Sequence, residues 1–390
     1  MPFASALSLH PDAAEATGEA VGEVLDRVGI APDLAVLFVS PHHLDAVADI
    51  AAAVRALLAP GVLLGATGVA VVGGAREIED GPAMSLWAGR LGAPVRPVRV
   101  TAARTPAGVA LAGLTESTCR PGEVLVLLAD PRSLPVEDIV EVLGRLDPPV
   151  PVVGGAASAA GPGGNRLVLD DTVVADGGVG VVLPAAVATT LVVSQGCRPI
   201  GEPMIVTGAE HNLMAELAGR PALDRLEDLA RAAAPDERAL LAAGLHVGVA
   251  VDEHKMTFGR GDFLVRNLLG IDRESRTVAV GDEVAVGTTV QFHVRDAASA
   301  DEDLRELLVR ASADGLADSA LVFTCNGRGS RFFGEPDHDA RAVADAVRSG
   351  AVAGMFCAGE FGPVGARSFV HGFTASIVLF HEARASSERM

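Results

Sequence analysis

The chain has 390 residues, which at roughly 150 residues per domain is enough for two or three domains and excludes a disulfide-stabilised miniprotein. Its formal net charge of −19 repels nucleic-acid backbones and anionic membrane surfaces, so we expect neither nucleic acid nor a membrane as a partner. The 4 cysteines are far apart and form no Cys-x-x-Cys or Cys/His cluster, which predicts no metal site and a reducing, cytoplasmic location.

The first predicted unit combines strands with a helix in the N-terminal part of the chain. The apolar run at residues 33–40 is typical of a buried parallel strand, and residues 44–58 carry an apolar stripe at helical spacing. A second strand at 61–68 and a third at 82–88 follow. Together these segments predict a unit with the order strand, helix, strand, strand.

The same pattern recurs twice further along the chain. A helix follows the strand at 123–130 in the second copy and the strand at 319–326 in the third copy. The other predicted elements of these copies are helices at 136–146 and 341–348 and strands at 150–158, 177–183, 351–360 and 371–380. Because the uncharged residues 177–196 include Pro184, they predict two buried strands rather than a membrane-spanning helix.

The stretch between the second and third copies follows a different pattern. Its β-branched runs at 277–280 and 288–294 predict strands. Ser299 and Glu302 stand at capping-box spacing and predict a helix over about residues 300–316.

The domain organisation follows from an interruption of regular structure at residues 194–203. We expect an α/β fold of two related domains, residues 1–194 and 195–390, with stacked sheets and helices outside. Strand, helix, parallel strand connections are nearly always right-handed, so the first two strands of each copy end at the same sheet edge. Ligands of open α/β sheets bind beyond that edge.

The edge of the third copy carries the richest chemistry. Gly327 and Gly329 permit a turn that exposes backbone amides, and Arg328 and Arg331 supply charged donors that suit a carboxylate. Glu360, between glycines, is suited to accept from an amino group. The alternatives are solvated arginines at a tight turn and a glutamate that satisfies the backbone donors of its own turn.

Other polar residues of the chain allow further interpretations. Cys325 and Cys357 stand at equivalent strand ends, either as nucleophiles with His371 as base or as small apolar core residues. Glu77 and Glu79 belong either to a charged hairpin tip or to the mouth of a pocket. The candidate ligand-binding residues are Cys325, Asn326, Gly327, Arg328, Gly329, Arg331, Cys357, Gly359, Glu360 and His371.

Six segments of the chain, in order, resemble the FIST family: residues 71–88, 194–203, 266–272, 323–334, 356–365 and 371–376. The resemblance extends from about residue 32 to 380 and implies a FIST N-terminal domain in residues 1–194 and a FIST C-terminal domain in 195–390. It also implies an intracellular sensory module that binds small ligands such as amino acids or their derivatives and is often fused to signalling domains. A signalling protein is therefore the type of protein partner that we consider, and the sequence does not identify it. The resemblance assigns no catalytic residue.

The expected function is therefore cytoplasmic signal transduction by a protein that binds an amino acid or a derivative in a cleft of glycine-rich strand-end loops. In this hypothesis Arg328 or Arg331 binds the carboxylate and Glu360 the amine, without a cofactor. One alternative is a cysteine-dependent acyl transferase or hydrolase that uses Cys325 or Cys357 with His371. The other is a protein-interaction scaffold. Whether the protein is an enzyme stays open, and the sequence favours a binding protein.

Overall fold

A computed structural model describes residues 2–106, 108–115, 117–159, 164–313 and 315–382. Contacts divide the chain into two compact units. The first consists of Met1–Val193, Leu304–Val370 and Thr374–Met390, and the second of Ser194–Asp303 and His371–Phe373. The first break lies at the predicted start of the second domain, but the chain returns to the first unit at Leu304. The division into domains 1–194 and 195–390 stays a prediction.

The first copy of the repeat follows an N-terminal strand and helix. Its elements, in chain order, are β1 (Phe3–Ser8), α1 (Ala13–Val28), β2 (Leu34–Val39), α2 (Val47–Leu58), β3 (Val62–Thr67), β4 (Val71–Gly73), β5 (Arg76–Ile78) and β6 (Met84–Gly89). A 3₁₀ helix at Pro41–Ala46 connects β2 to α2. Helix α1 begins where Asp12 Oδ1 accepts from the amides of Ala14 and Glu15. The predicted stripe is confirmed in α2, where Val47, Ile50, Val54 and Leu58 are buried.

The second copy has the same order, preceded by a hairpin. Its elements are β7 (Arg96–Thr105), β8 (Gly108–Ala112), β9 (Val124–Ala129), α3 (Val136–Gly144), β10 (Val152–Ala156), β11 (Leu167–Leu169), β12 (Thr172–Val174) and β13 (Gly178–Leu183). Strand β14 (Thr189–Gln195) follows β13, so the two strands predicted in residues 177–196 are confirmed. No helix within the described ranges is both long and apolar enough to cross a membrane.

The second unit is an antiparallel β-barrel. Its elements are β15 (Cys197–Glu210), β16 (Leu213–Leu217), β17 (Arg220–Pro221), α4 (Ala222–Ala232), α5 (Pro235–Ala243), β18 (Leu245–Ala250), β19 (Phe263–Asp272), β20 (Thr277–Val280) and β21 (Thr289–Arg295). The strand order is β15-β21-β18-β19-β20-β16-β17, and β15 also pairs with β16, which closes the ring. Buried Val247, Phe292 and Val294 belong to its core.

The third copy completes the first unit. Its elements are α6 (Ala297–Ala311), β22 (Ala317–Cys325), α7 (Ser330–Phe333), α8 (His338–Asp345), β23 (Val347–Cys357), β24 (Glu360–Val364), β25 (Arg367–His371) and β26 (Thr374–Phe380). Helix α6 begins earlier than predicted because Asp296, rather than Ser299, caps it: Asp296 Oδ1 accepts from the amides of Ala298 and Ser299.

The three copies build three sheets of similar design. Their strand orders are β1-β6-β2-β3-β11-β12, β25-β24-β10-β9-β13-β7-β8 and β14-β26-β22-β23-β4-β5. In each sheet the first and second strands of one copy are parallel, and the third strand lies antiparallel beside the first. The hairpin between the second and third strands instead joins the sheet of another copy, in a cyclic exchange.

The inner faces of the three sheets share one hydrophobic core. It includes Phe38 and Trp87 of the first copy, Leu128 of the second, and Phe323 and Phe380 of the third. Separate cores form on the outer faces, where α1 and α2 cover the first sheet, α3 the second, and α6 with α8 the third. The predicted α/β class, with stacked sheets and helices outside, is confirmed.

Candidate functional site

The carboxyl ends of the parallel strands in the three copies meet at one rim of the first unit. The Ala156 amide donates to Gly359 O (2.8 Å), and the Phe356 amide donates to Ala70 O (3.0 Å). Ser158 links all three copies, because its Oγ donates to Phe356 O (2.5 Å) and accepts from the Val69 amide (2.9 Å). These bonds bring the strand ends of different sheets together.

A buried ion pair lies at the third copy's part of this rim. The Arg328 amide donates to Cys325 O (2.8 Å) in the turn after β22. Arg328 Nε and Nη2 then donate to the two carboxylate oxygens of Asp339, at 2.8 and 2.9 Å. Both side chains are 0% exposed. Thr324 Oγ1 also donates to Asp339 (2.6 Å), so the carboxylate is fixed from two directions.

Burial and attraction oppose each other in this pair. Burial lowers the pKa of Arg328 and raises that of Asp339, but the Coulombic attraction and the hydrogen bonds between them outweigh it. The net effect raises the pKa of Arg328 and holds the pKa of Asp339 below its usual range. Both groups are therefore charged at neutral pH.

Two rings enclose the ion pair. The rings of Phe333 and His338 are stacked, with their centroids 3.4 Å apart. The guanidinium of Arg328 lies over Phe333, 5.2 Å from the ring centroid. His338 Nδ1 lies 3.0 Å from Asp339 Oδ1. The short helix α7 and the start of α8 thus supply the cover of this site.

Glu360 is a further buried ionisable residue at the rim. Its Oε2 accepts from the Thr374 amide (3.1 Å) and from Thr374 Oγ1 (2.9 Å), whereas its buried Oε1 has no hydrogen-bond partner. Burial raises the pKa of Glu360 to about 8, although the hydrogen bonds from Thr374, the charge of Arg328 and a hydrogen bond with the Cys325 side chain act in the opposite direction. Glu360 is therefore mostly protonated at neutral pH.

Glu77 reaches the same cluster from the first copy. It lies on β5, whose hairpin belongs to the third sheet, and its Oε1 accepts from the Ala340 amide in the first turn of α8 (2.9 Å). Its Oε2 is buried without a hydrogen-bond partner. Burial, followed by the negative charge of Asp339, raises the pKa of Glu77 to about 8. Glu79, next along the hairpin, accepts from the Ser330 amide (2.7 Å).

Cys325 and Cys357 lie opposite each other in the register of the adjacent parallel strands β22 and β23. Cys357 is fully buried, and its sulfur lies over Gly155, where an added Cβ would be 2.3 Å from Sγ. Burial, with the nearby Glu360 and Cys325, raises the pKa of the Cys357 thiol well above its usual value. The thiol stays protonated at neutral pH, which does not favour Cys357 as a nucleophile. Cys325 is half-buried.

The remaining candidate residues differ in their burial and in the unit to which they belong. Asn326 and Arg331 are exposed, Gly327 is half-buried, and Gly329 is buried against the carboxylate of Glu79. Gly359 contributes its carbonyl to the contact with Ala156 described above. His371 is buried at the end of β25 and belongs to the second unit.

The structure thus brings four predicted residues together in one cluster: Cys325, Arg328, Cys357 and Glu360. Asp339 and Thr374 were not among the candidates. Asp339 lies 11 residues after Arg328. The only sequence signal that could have identified it is its position as an acidic residue at the start of a weakly patterned helix. Three buried polar atoms of the cluster have no hydrogen-bond partner: Arg328 Nη1, Glu360 Oε1 and Glu77 Oε2.

The raised pKa of Glu360 gives a testable pH dependence. Between pH 4.5, the ordinary pKa of a glutamate side chain, and pH 8, the folded protein keeps a proton on Glu360 that the unfolded chain has lost. The free energy of unfolding therefore falls as pH rises through this range, and Glu77 acts in the same direction. We expect Glu360→Gln to reduce this loss, measured by urea unfolding at several pH values. Exposed Glu137→Gln is the control, and an equal pH slope in both variants would contradict the assignment.

Comparison with known proteins gives family matches over most of the chain. The model of the FIST N domain matches residues 33–220, and that of the FIST C domain matches residues 222–363. An uncharacterized protein of Mycobacterium tuberculosis strain H37Rv is 44% identical over 379 residues, which cover 96% of this chain and 98% of the relative. An uncharacterized protein of Mycobacterium bovis is 44% identical over 375 residues, covering 95% of this chain and 96% of the relative.

Proposed function

The chain belongs to the FIST family, whose domains are associated with sensing small ligands in signal transduction, and we propose that it is a cytoplasmic sensor of an amino acid or an amino-acid derivative. The observation that carries this proposal is the set of three unpartnered polar atoms around the Arg328–Asp339 pair. Buried polar atoms without partners are rare in folded proteins, and each one calls for an explanation. A polar ligand at the rim supplies the missing partners.

The chemistry of these atoms suits a zwitterion. Arg328 Nη1 is a charged donor that Asp339 leaves unused, so it suits a ligand carboxylate. Glu360 Oε1 suits the ligand's amino group, because an approaching ammonium favours the ionised carboxylate. Arg328 and Glu360 interact electrostatically, so a small molecule bound between them would contact both side chains. Exposed Arg331 and Asn326 are available for the rest of the ligand.

The first test is a thermal-shift screen of the full chain with amino acids and their derivatives. A ligand that binds the folded state raises the melting temperature in proportion to its concentration relative to Kd. We expect at least one amino acid to stabilise the protein and Glu360→Gln to abolish that shift, whereas exposed Glu137→Gln leaves it unchanged. A folded protein that responds to none of these compounds would contradict the proposal.

The second test uses the pKa of Glu360, which is about 8 in the free protein. An ammonium ligand needs the ionised form, so its affinity is expected to rise about tenfold from pH 6 to pH 7 and to level off above pH 8. The corresponding carboxylic acid without an amino group should lack this rise. Isothermal titration calorimetry at each pH measures the difference, and equal pH profiles for the two ligands would exclude amine recognition by Glu360.

A further inference from the structure

The hairpin of β7 and β8 extends beyond its sheet. Strand β13 pairs with β7 over Arg96–Val100, whereas β8 pairs with β7 over the following residues, Thr101–Thr105. Among the described residues, no other strand pairs with β8, which ends the strand order of the second sheet. We call the segments 101–105 and 108–112 the arm. A two-stranded ribbon without further support has marginal stability in water.

The arm is exposed and almost free of charge. Most of its residues are exposed to solvent, and Val109 is 45% exposed. Strand β8 reads Gly-Val-Ala-Leu-Ala, and Arg104 on β7 is the charged residue of the arm. Soluble proteins normally protect such an edge with charged side chains, proline or a covering element. An uncharged edge strand in a chain with a net charge of −19 therefore points to a partner strand.

The edge strand of the first copy, by contrast, packs against a helix. Strand β1 occupies the place of β7 beside the third strand, and its Ala4 and Ala6 pack in one core with Ala16 and Ala20 of helix α1. In the second copy, β7 lies beside the third strand, β13, and β8 follows it as the outermost strand of the sheet.

A cavity of about 420 Å³ separates the arm from helix α3. Val109, Leu111 and Leu114 line it on one side, and Asp138, Glu141 and Val142 line it on the other. Val109 and Leu111 are two residues apart, so they share one face of the strand. The apolar face of the arm is therefore only partly covered: Ala102 and Leu111 pack against the core under α3, whereas Val109 stays exposed.

We propose that β8 pairs antiparallel with β8 of a second copy of this chain, about a two-fold axis at Ala110. Antiparallel pairing of identical strands satisfies the edge groups of both copies at once, which is the isologous arrangement of most dimers. With the axis at Ala110, each Val109 faces the partner's Leu111, and each Gly108 faces the partner's Ala112. No charged side chain of β8 meets its counterpart, although two chains of −19 repel each other elsewhere.

The test is sedimentation equilibrium of the full-length protein and of charge variants at the axis. The unmodified chain is expected to be a dimer. Ala110→Glu and Ala110→Lys each place like charges directly opposite each other and are expected to weaken dimerisation roughly tenfold or more. An equal mixture of the two variants pairs opposite charges and should recover the dimer, which also shows that both variants are folded.

Val309→Glu is the matched control, because Val309 is 71% exposed and lines a different surface cavity, between α6 and α8. This variant should remain dimeric. A protein that is monomeric at every concentration tested would overturn the proposal. Dimers that persist in both single variants, or a mixture that stays monomeric, would show that β8 is not the interface.

Discussion

Replacing Asp339 with alanine is expected to destabilise the first unit by about 3–5 kcal/mol, because it leaves the fully buried guanidinium of Arg328 without a counter-ion. Thr324 Oγ1 and His338 also lose their contact with this carboxylate. Bulk water does not solvate the guanidinium that this substitution leaves unpaired, because both side chains are 0% exposed in the folded protein. The expected loss is a large part of the stability of an ordinary domain.

Urea unfolding followed by tryptophan fluorescence measures this loss in the first unit. Trp87 is the only tryptophan, and the chain has no tyrosine. Trp87 is fully buried, with its ring centroid 5.0 Å from that of Phe380, and its Nε1 donates to Ser319 Oγ (2.5 Å). Its emission therefore reports the shared core of the three sheets.

Two further variants separate the buried charge from a general effect of mutation. Arg310→Gln breaks an exposed i,i+4 pair with Glu306, and its cost should stay below about 1 kcal/mol. The double variant Arg328→Met/Asp339→Leu removes both charges and should recover a large part of the loss. A double variant as unstable as Asp339→Ala would show that the unpaired charge is not the cause.

Gly155→Ala is expected to destabilise the first unit by about 1–3 kcal/mol through overpacking. The new Cβ would lie 2.3 Å from Cys357 Sγ, closer than such atoms approach in folded proteins, and 3.1 Å from Cys357 Cβ, which is tighter than most such contacts. Both residues belong to fully buried strands, β10 and the end of β23, so neither side has room to move. The same urea titration measures the change.

The cysteine provides a rescue. Cys357→Ala removes the sulfur that the new methyl group meets. The double variant Gly155→Ala/Cys357→Ala should therefore lose less stability than the summed losses of the two single variants, by about 0.5–3 kcal/mol. Gly22→Ala is the control, because no atom lies within 4 Å of that Cβ in helix α1, and it should be neutral or stabilising. Additive effects of the two changes at Gly155 and Cys357 would contradict the contact.

The sequence predicted the repeated elements because local patterns determine them. Apolar runs identified the buried strands β2, β9 and β22, and helical spacing identified α2 and α3. The weaker third pattern was partly wrong: Val347 was expected in a helix but begins β23. Helix α8 is only 8 residues long, so its two apolar turns gave little periodic signal.

These local patterns do not predict which strands pair over long distances in the sequence. The exchange of hairpins between copies depends on which sheet offers a free edge, and no local spacing reports that. The same limit applies to the site. The turn around Arg328 was expected to present an arginine to a ligand, and its guanidinium is mostly engaged by Asp339. A sequence pattern places charged residues near an edge but does not show which neighbour neutralises them.

The exchange of hairpins also constrains how the protein is made. The second sheet receives β24 and β25 from the third copy, and the third sheet receives β4 and β5 from the first. The first two copies are therefore synthesised long before the strands of the third copy with which they pair, because the 110 residues from Ser194 to Asp303 are synthesised in between. In the nascent chain the pairing edges of β10 and β4 therefore stay open until β24 and β23 have been synthesised, and open strand edges of this kind favour aggregation during folding.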